Sequence, residues 1–471
     1  MKTRTKTILF ALTAVLLFAS MVQYCFNWQL FKPLRGVVVD QPMPDLTFQS
    51  YLDGSFQQQT EQHLKLHFGC REPLIRLYNQ YLWDFYGKTP VTEGQVSFGK
   101  DGWMYEPWVV ADHYQRQFRY YASDSTQMAA MLSEEAHRVL QLQEILDSYG
   151  IKLFVCLVPA KDLIYPEYLP ENQDTRYDDE PKISARFFNE EEYTRLGVNH
   201  LNLEQWFLQM KDTADFMLFP QTGTHWSRYA ALYGADTLIR YMEQLDSINM
   251  PNLVFGSRYL HNAIDPDDDL ESLLNLIRPL PKPKYYYADV TTDGDTTATK
   301  PKIIVIGDSF WWTIAVQIPL GEVFSESPYW YYNNTVYYDP RYNAVDEFDL
   351  AEELLSADFV VLFYCATQQY RMNDDFTQKA IKALGQIPEG AELDSTAFLE
   401  REIQRTIAKL LADHNSMDMI REKAETNGVS IEKQLHDDAE WIINYQIEQG
   451  LLKWPAKKRD TNTKSENHGI Q

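Results

Sequence analysis

The chain has 471 residues, 45% of them hydrophobic, which is enough for one large domain or two ordinary ones with a full core. Its formal net charge of −24 excludes a nucleic-acid partner, because such binding rests on Lys and Arg neutralising phosphates, and argues against gripping a polyanion over a wide surface. The four cysteines, Cys25, Cys70, Cys156 and Cys365, form neither a CxxC pair nor a zinc spacing, and no ligand cluster calls for a metal or other cofactor.

At the N-terminus, Lys2, Arg4 and Lys6 precede an uncharged stretch whose apolar heart, Ile8 to Phe26, is long enough to cross a bilayer as a helix. The basic flank belongs on the cytoplasmic side, which puts the rest of the chain outside. No small-x-small cleavage site ends the run, so residues 1–32 read as an uncleaved signal anchor. The expected address is the bacterial inner membrane, single-pass, with the soluble body in the periplasm.

Residues 33–90 read as a polar stalk and an initial helix. In Glu72 to Tyr86, Leu74, Leu77, Tyr78, Tyr81 and Phe85 share a face. Phe98 to Tyr105 reads as a tight turn feeding a strand, and Ser123 to Tyr149 as an amphipathic helix capped by Ser123 or Asp124. Ile151 to Val158 is nearly continuous in apolar residues, the pattern of a strand buried on both faces. A shorter strand, Gly197 to Leu203, and a helix, Ser227 to Leu245, follow. The acidic, Pro-rich stretch 265–300 reads as a lid-like insertion or long loop. Lys302 to Ile306 and Ser356 to Cys365 are further buried strands, with a helix starting near Phe310 between them. This alternation predicts an α/β fold with a parallel sheet over residues 91–375. Residues 376–456 read as a helical segment, with amphipathic helices at 400–411 and 431–449, and 457–471 as a disordered tail.

The most informative stretch is Ile303-Ile304-Val305-Ile306-Gly307-Asp308-Ser309-Phe310. A β-branched strand stops at a Gly-Asp-Ser turn, which places a hydroxyl at the carboxyl end of a parallel strand, where α/β proteins put their chemistry. A free hydroxyl is a weak nucleophile and needs a base. His225, in Thr222-Gly223-Thr224-His225-Trp226-Ser227, sits just before a helix and is the best candidate of ten histidines. A third group usually orients such a histidine. Asp112, Asp162 and Glu106 all lie near predicted strand ends or loops, and the residues leave the choice among them open, along with a Ser-His dyad. For the oxyanion, the Ser309 N–H and the start of the following helix are candidate donors, with Asn333 or Asn334 as side-chain additions. Lys161, at the end of the Ile151 to Val158 strand, is a further substrate-site candidate.

Four segments in order carry a family resemblance: Gly99 to Tyr105 (GKDGWMY), Val158 to Lys161 (VPAK) with Tyr165 to Pro170 downstream, Thr224 to Trp226 (THW) and Gly307 to Phe310 (GDSF). Together with Phe68 to Arg71, the set resembles the SGNH-hydrolase-like domain of the alginate O-acetyltransferases AlgX and AlgJ. The resemblance implies a flavodoxin-like three-layer domain, with the histidine motif before the serine motif as here. It implies Ser309 as nucleophile, His225 as base and an exopolysaccharide as acceptor. It also implies a multispanning membrane acyltransferase as the partner that delivers acetyl. The family aspartate two residues before the histidine is Gly223 here. An alginate-type carbohydrate-binding module is not evident. The expected function is therefore a membrane-anchored O-acetyltransferase of a surface glycan acting through an acetyl-serine. The alternatives are an acetylesterase using the same residues, or a degraded domain that binds glycan or scaffolds a secretion complex.

Overall fold

In the computed structural model of the protein, the described residues are 2–26, 31–36, 41–90, 95–172, 182–386 and 395–448. The expected tail at 457–471 lies outside them. A six-stranded sheet organises the body: β1 (Lys152–Val158), β2 (His200–Asn202), β3 (Ile303–Gly307), β4 (Tyr329–Tyr331), β5 (Thr335–Tyr337) and β6 (Phe359–Cys365). Their spatial order is β5-β4-β3-β6-β1-β2, and every pairing is parallel except β4 with β5. A parallel sheet needs helical cover on both faces, and the sequence supplies it.

Alternate residues of the same strands serve the two sides. Phe154, Cys156, Val158, Ile303, Val305, Val361 and Phe363 pack against the helices Leu203–Met210, Arg228–Asp246 and Phe310–Ala315. Leu153, Val155, Leu157, Ile304, Ile306, Val360 and Leu362 pack against Ser125–Ser148, Leu350–Leu355 and Phe376–Gly385. The result is the expected three-layer α/β fold. The helix at 376–385, assigned from sequence to the C-terminal segment, thus belongs to the sheet's cover: Phe376, Ala380 and Leu384 are buried in it.

The stretch 265–300 is not a lid. Tyr285–Tyr287 pairs with Tyr259–His261 and Val290–Thr292 with Leu253–Phe255, while Leu270, Leu274, Tyr285 and Tyr287 are buried. Part of its charge is paired internally, Lys282 with Glu271 and, at 3.4 Å, with Asp268, and part is paired with the rest of the chain, as Asp265 is with Arg35 at 3.2 Å. Beyond the sheet, Ser395–Ala412, His414–Asn427 and Ile431–Glu448 form a three-helix unit with small cores of its own around Ile403, Ala439 and Ile443 and around Met417, Ile420 and Leu435. At the other end, the helix Lys2–Phe26 contains one stretch, Arg4–Phe26, long and apolar enough to cross a membrane.

Candidate active site

β1 runs outward to β2, whereas β3 leads to β4 on the other side, with β6 between. The carboxyl ends of β1, β3 and β6 therefore open a crevice where the winding reverses. A small cavity of ≈ 50 Å³ sits there. Ala160 and Lys161 line it from the end of β1, Asp308, Ser309 and Phe310 from β3, and Cys365, Thr367 and Gln368 from β6. Glu106, Trp108, Thr224 and Tyr332 complete the wall.

The serine turn is built by close strand approach. A Cβ on Gly307 would lie 1.9 Å from the Phe363 carbonyl oxygen, so only glycine lets β3 finish against β6. Asp308 locks the next step from a fully buried position. Its Oδ2 accepts the Cys365 N–H at 2.6 Å and its Oδ1 the Phe310 N–H at 3.1 Å, and Tyr329 donates its hydroxyl to the Asp308 carbonyl. Burial pushes the Asp308 carboxyl up to about 7, against the pull of those backbone donors. Ser309 then stands at the head of the helix Phe310–Ala315 with its side chain toward the cavity.

The histidine loop is fixed residue by residue. Trp226 is fully buried, donates its indole N–H to Thr313 Oγ1 and packs on Gly234, where a Cβ would come within 2.9 Å of its ring. Ser227 caps the helix Arg228–Asp246 by accepting the Ala230 N–H at 3.1 Å. Between these anchors, His225 Nε2 lies 2.8 Å from Ser309 Oγ, placed to accept the hydroxyl proton. On the other side of the ring, Nδ1 lies 2.6 Å from Asp269 Oδ2. That pairing assigns the Nδ1–H tautomer and leaves Nε2 as the acceptor.

Asp269 is thus the third member of a Ser-His-Asp array, and it was not among the acids singled out from sequence. Its Oδ1 also accepts the Thr224 N–H at 2.8 Å. Gly223 explains why the acid comes from elsewhere. A Cβ there would lie 2.8 Å from the Asp267 carbonyl oxygen, so the segment that brings Asp269 fills the space an aspartate at 223 would occupy. Burial lowers the affinity of His225 for a proton, but the Asp269 hydrogen bond and the charges of Asp269, Glu106 and Asp308 outweigh it, and its pKa rises above the ordinary 6.5.

The expected orienting acids Asp112 and Asp162 are engaged elsewhere. Both are buried against Arg186, with Asp162 Oδ2 at 3.0 Å, and Arg186 also reaches Glu204 at 3.4 Å. Three carboxylates thus surround one buried guanidinium, and His113 Nδ1 lies 3.4 Å from Asp162 Oδ2 at the edge of the cluster. Glu106, the third acid left open, lines the cavity but accepts the Trp108 indole N–H at 2.9 Å. Lys161 is a brace. Its buried ammonium donates to the carbonyls of Met104 (2.7 Å), Gly223 (2.8 Å) and Gln221 (3.0 Å), and burial draws its pKa well down. Neither asparagine faces the cavity. Asn333 donates its amide to the Asp374 carbonyl at 2.9 Å, and Asn334 closes the turn between β4 and β5, its N–H 3.1 Å from the Tyr331 carbonyl. At the helix start the Phe310 N–H is taken by Asp308, which leaves the Ser309 N–H as the candidate of that pair for a backbone oxyanion donor. No group of His, Cys, Asp and Glu among the described residues is arranged to hold a metal ion.

The profile of the SGNH hydrolase-like domain of acetyltransferase AlgX matches residues 96–330, spanning both the histidine and the serine motifs. This domain belongs to that family. Similar solved structures include the O-acetyltransferase domain of Pseudomonas putida AlgJ (17% identity, 62% of this chain and 99% of that one, TM-score 0.38). Bacillus cereus PatB1 (13%, 58% and 96%, TM-score 0.35) and Pseudomonas aeruginosa AlgX (12%, 60% and 66%, TM-score 0.35) are also similar. No curated protein sequence matches. Acyl transfer of the acetyltransferase type is the chemistry the family carries.

Proposed function

We propose that the protein is a membrane-anchored O-acetyltransferase that moves acetyl groups onto a cell-surface polysaccharide through an acetyl-serine. The observation that carries this is the Ser309–His225–Asp269 chain of contacts, 2.8 Å and 2.6 Å long, at the rim of a cavity in an acetyltransferase-family domain. In the first half-reaction His225 Nε2 takes the Ser309 proton as Oγ attacks the acetyl carbonyl. The tetrahedral oxyanion points at the Ser309 N–H. Its collapse expels the donor alkoxide, which takes the proton from His225. In the second half-reaction a sugar hydroxyl gives its proton to His225 and attacks the ester. Collapse then returns the proton to Ser309 and releases the acetylated glycan.

The apolar helix behind Lys2, Arg4 and Lys6 supports an anchored body on the outer side of the inner membrane. A multispanning acyltransferase as acetyl supplier fits that placement. Ser309→Ala tests the mechanism. Acetyl release from a chromogenic acetyl ester is expected to fall by about 10³-fold or more, and the acetyl mass adduct on the Ser309 peptide to disappear. An unchanged rate in the variant would exclude the serine route.

A further inference from the structure

Two rim residues, Glu106 and Trp108, have no part in the proton relay, yet both line the cavity that holds Ser309. Trp108 is 48% exposed, and no other aromatic ring stacks on it among the described residues. Its indole is nonetheless held in one orientation, because its N–H donates to Glu106 Oε2 at 2.9 Å across Pro107. Thr224, next to the base, hydrogen-bonds the same carboxylate. A carboxylate accepts up to about four hydrogen bonds, so these two donors leave Glu106 with acceptor capacity toward the cavity. Its setting is unfavourable for a charge: burial and the neighbouring Asp269 both push its pKa up, although the Trp108 and Thr224 hydrogen bonds and the His225 charge act the other way. A glutamine would satisfy both donors without that cost. A carboxylate kept here is explained by a ligand that brings hydroxyl donors.

We propose that Trp108 and Glu106 form the acceptor subsite, with a pyranose ring lying on the indole face and a ring hydroxyl donating to the Glu106 carboxylate. This deepens the acetyltransferase reading and rests on it. Water has no apolar face to lay on Trp108. The pair therefore favours a sugar hydroxyl over water at the acetyl-serine and sets the balance between transfer and hydrolysis. The step balances: the sugar O–H proton passes to His225 Nε2 as a new ester forms on the sugar oxygen, the ester bond to Ser309 Oγ breaks, and His225 returns the proton to Ser309 Oγ.

The experiment is a partition measurement on the full chain in detergent. p-Nitrophenyl acetate serves as donor, with methyl β-D-glucopyranoside competing with water. Acetylated glucoside and free acetate arise from one intermediate, so their ratio is independent of how fast that intermediate forms. The expected result is a ratio about tenfold lower in Trp108→Ala and in Glu106→Gln, with Trp108→Phe, which keeps an aromatic face, recovering most of it. Equal ratios in wild type, Trp108→Ala and Glu106→Gln would overturn the subsite. So would a wild-type enzyme that acetylates Ser309 but makes no glucoside ester. If wild type gives no acetyl adduct on Ser309, the acetyl-serine reading itself fails, and that outcome is separate from the other two.

Discussion

Asp269 fixes both the orientation and the protonation of the histidine. One carboxylate oxygen holds the His225 Nδ1–H and the other holds the Thr224 N–H, so the acid positions the ring and the backbone that carries it. His225 and Asp269 keep only 13% and 22% of their side chains exposed, so little water competes for that bond. In the proposed role of base, His225 must be neutral. With its pKa above 6.5, activity rises as pH climbs through that raised value. In Asp269→Asn the hydrogen bond to a charged group and its Coulomb attraction are lost while burial remains. The acid limb of kcat/KM should therefore move to lower pH, and the plateau should fall by about 10²- to 10⁴-fold. A pH–rate profile checks both parts. An acid limb that stays in place with an undiminished plateau would mean that the serine works with His225 alone. The serine and the histidine that the fold brings together were legible in the sequence as candidates because each sits in a compact motif: Gly-Asp-Ser at a strand end, and Thr-His-Trp-Ser before a helix. The acid was not legible. Asp265, Asp267, Asp268 and Asp269 are equivalent in one dimension, and only the folded path past Gly223 decides which of them meets the ring. Glycine where an aspartate is expected, with a run of aspartates downstream, was the one available signal.

The histidine-bearing turn is braced from two sides by short elements. Asp267 Oδ1 accepts the Arg228 N–H at 3.0 Å and its Oδ2 the Tyr287 hydroxyl at 2.7 Å, so the 265–269 segment holds both ends of Thr224 to Arg228. From the other side, Lys161 ties Gln221 and Gly223 to Met104 in the hairpin that precedes Glu106 and Trp108. These braces join segments far apart in sequence, which is why strand and helix patterns predicted the elements but left 265–300 as an unattached loop. The sheet was legible for the opposite reason. Runs such as Ile303 to Ile306 and Phe359 to Tyr364 are apolar on both faces because the strands are central, a property each run carries by itself. Lys161→Met keeps the length and removes the three donations. The Gln221 carbonyl keeps the Met104 N–H at 2.9 Å, so the loss falls chiefly on the Met104 and Gly223 carbonyls and should cost about 2 kcal/mol or more. The expected outcome is a lower urea midpoint together with a fall in kcat, since the turn that loosens carries His225, the proposed base. A variant with wild-type unfolding and wild-type kcat would show that the lysine is no brace.

At the scale of the whole molecule, the candidate site is built by the sheet and the segments that close over its carboxyl edge. The C-terminal unit packs chiefly on itself: Ile403, Ala439 and Ile443 close one side of it, and Met417, Ile420 and Leu435 the other. A link back to the body is the ion pair between Lys409 and Glu326 at 3.1 Å, with the lysine side chain 53% exposed, and an exposed pair of this kind contributes about 1 kcal/mol at most. Glu326 keeps a second cation, Lys302 at 3.1 Å, so removal of Lys409 leaves it paired. By contrast, Phe376, Ala380 and Leu384 are part of the sheet's own cover, so the safe cut falls after residue 386 and not at 376. A chain ending at 386 should keep its melting temperature within about 2 °C and retain acetyl-ester turnover. One ending at 375 exposes an apolar face of the sandwich and should unfold at a markedly lower temperature. Differential scanning fluorimetry with an esterase assay on the two truncations separates these outcomes. Equal damage from both cuts would mean that the three-helix unit supports the catalytic body.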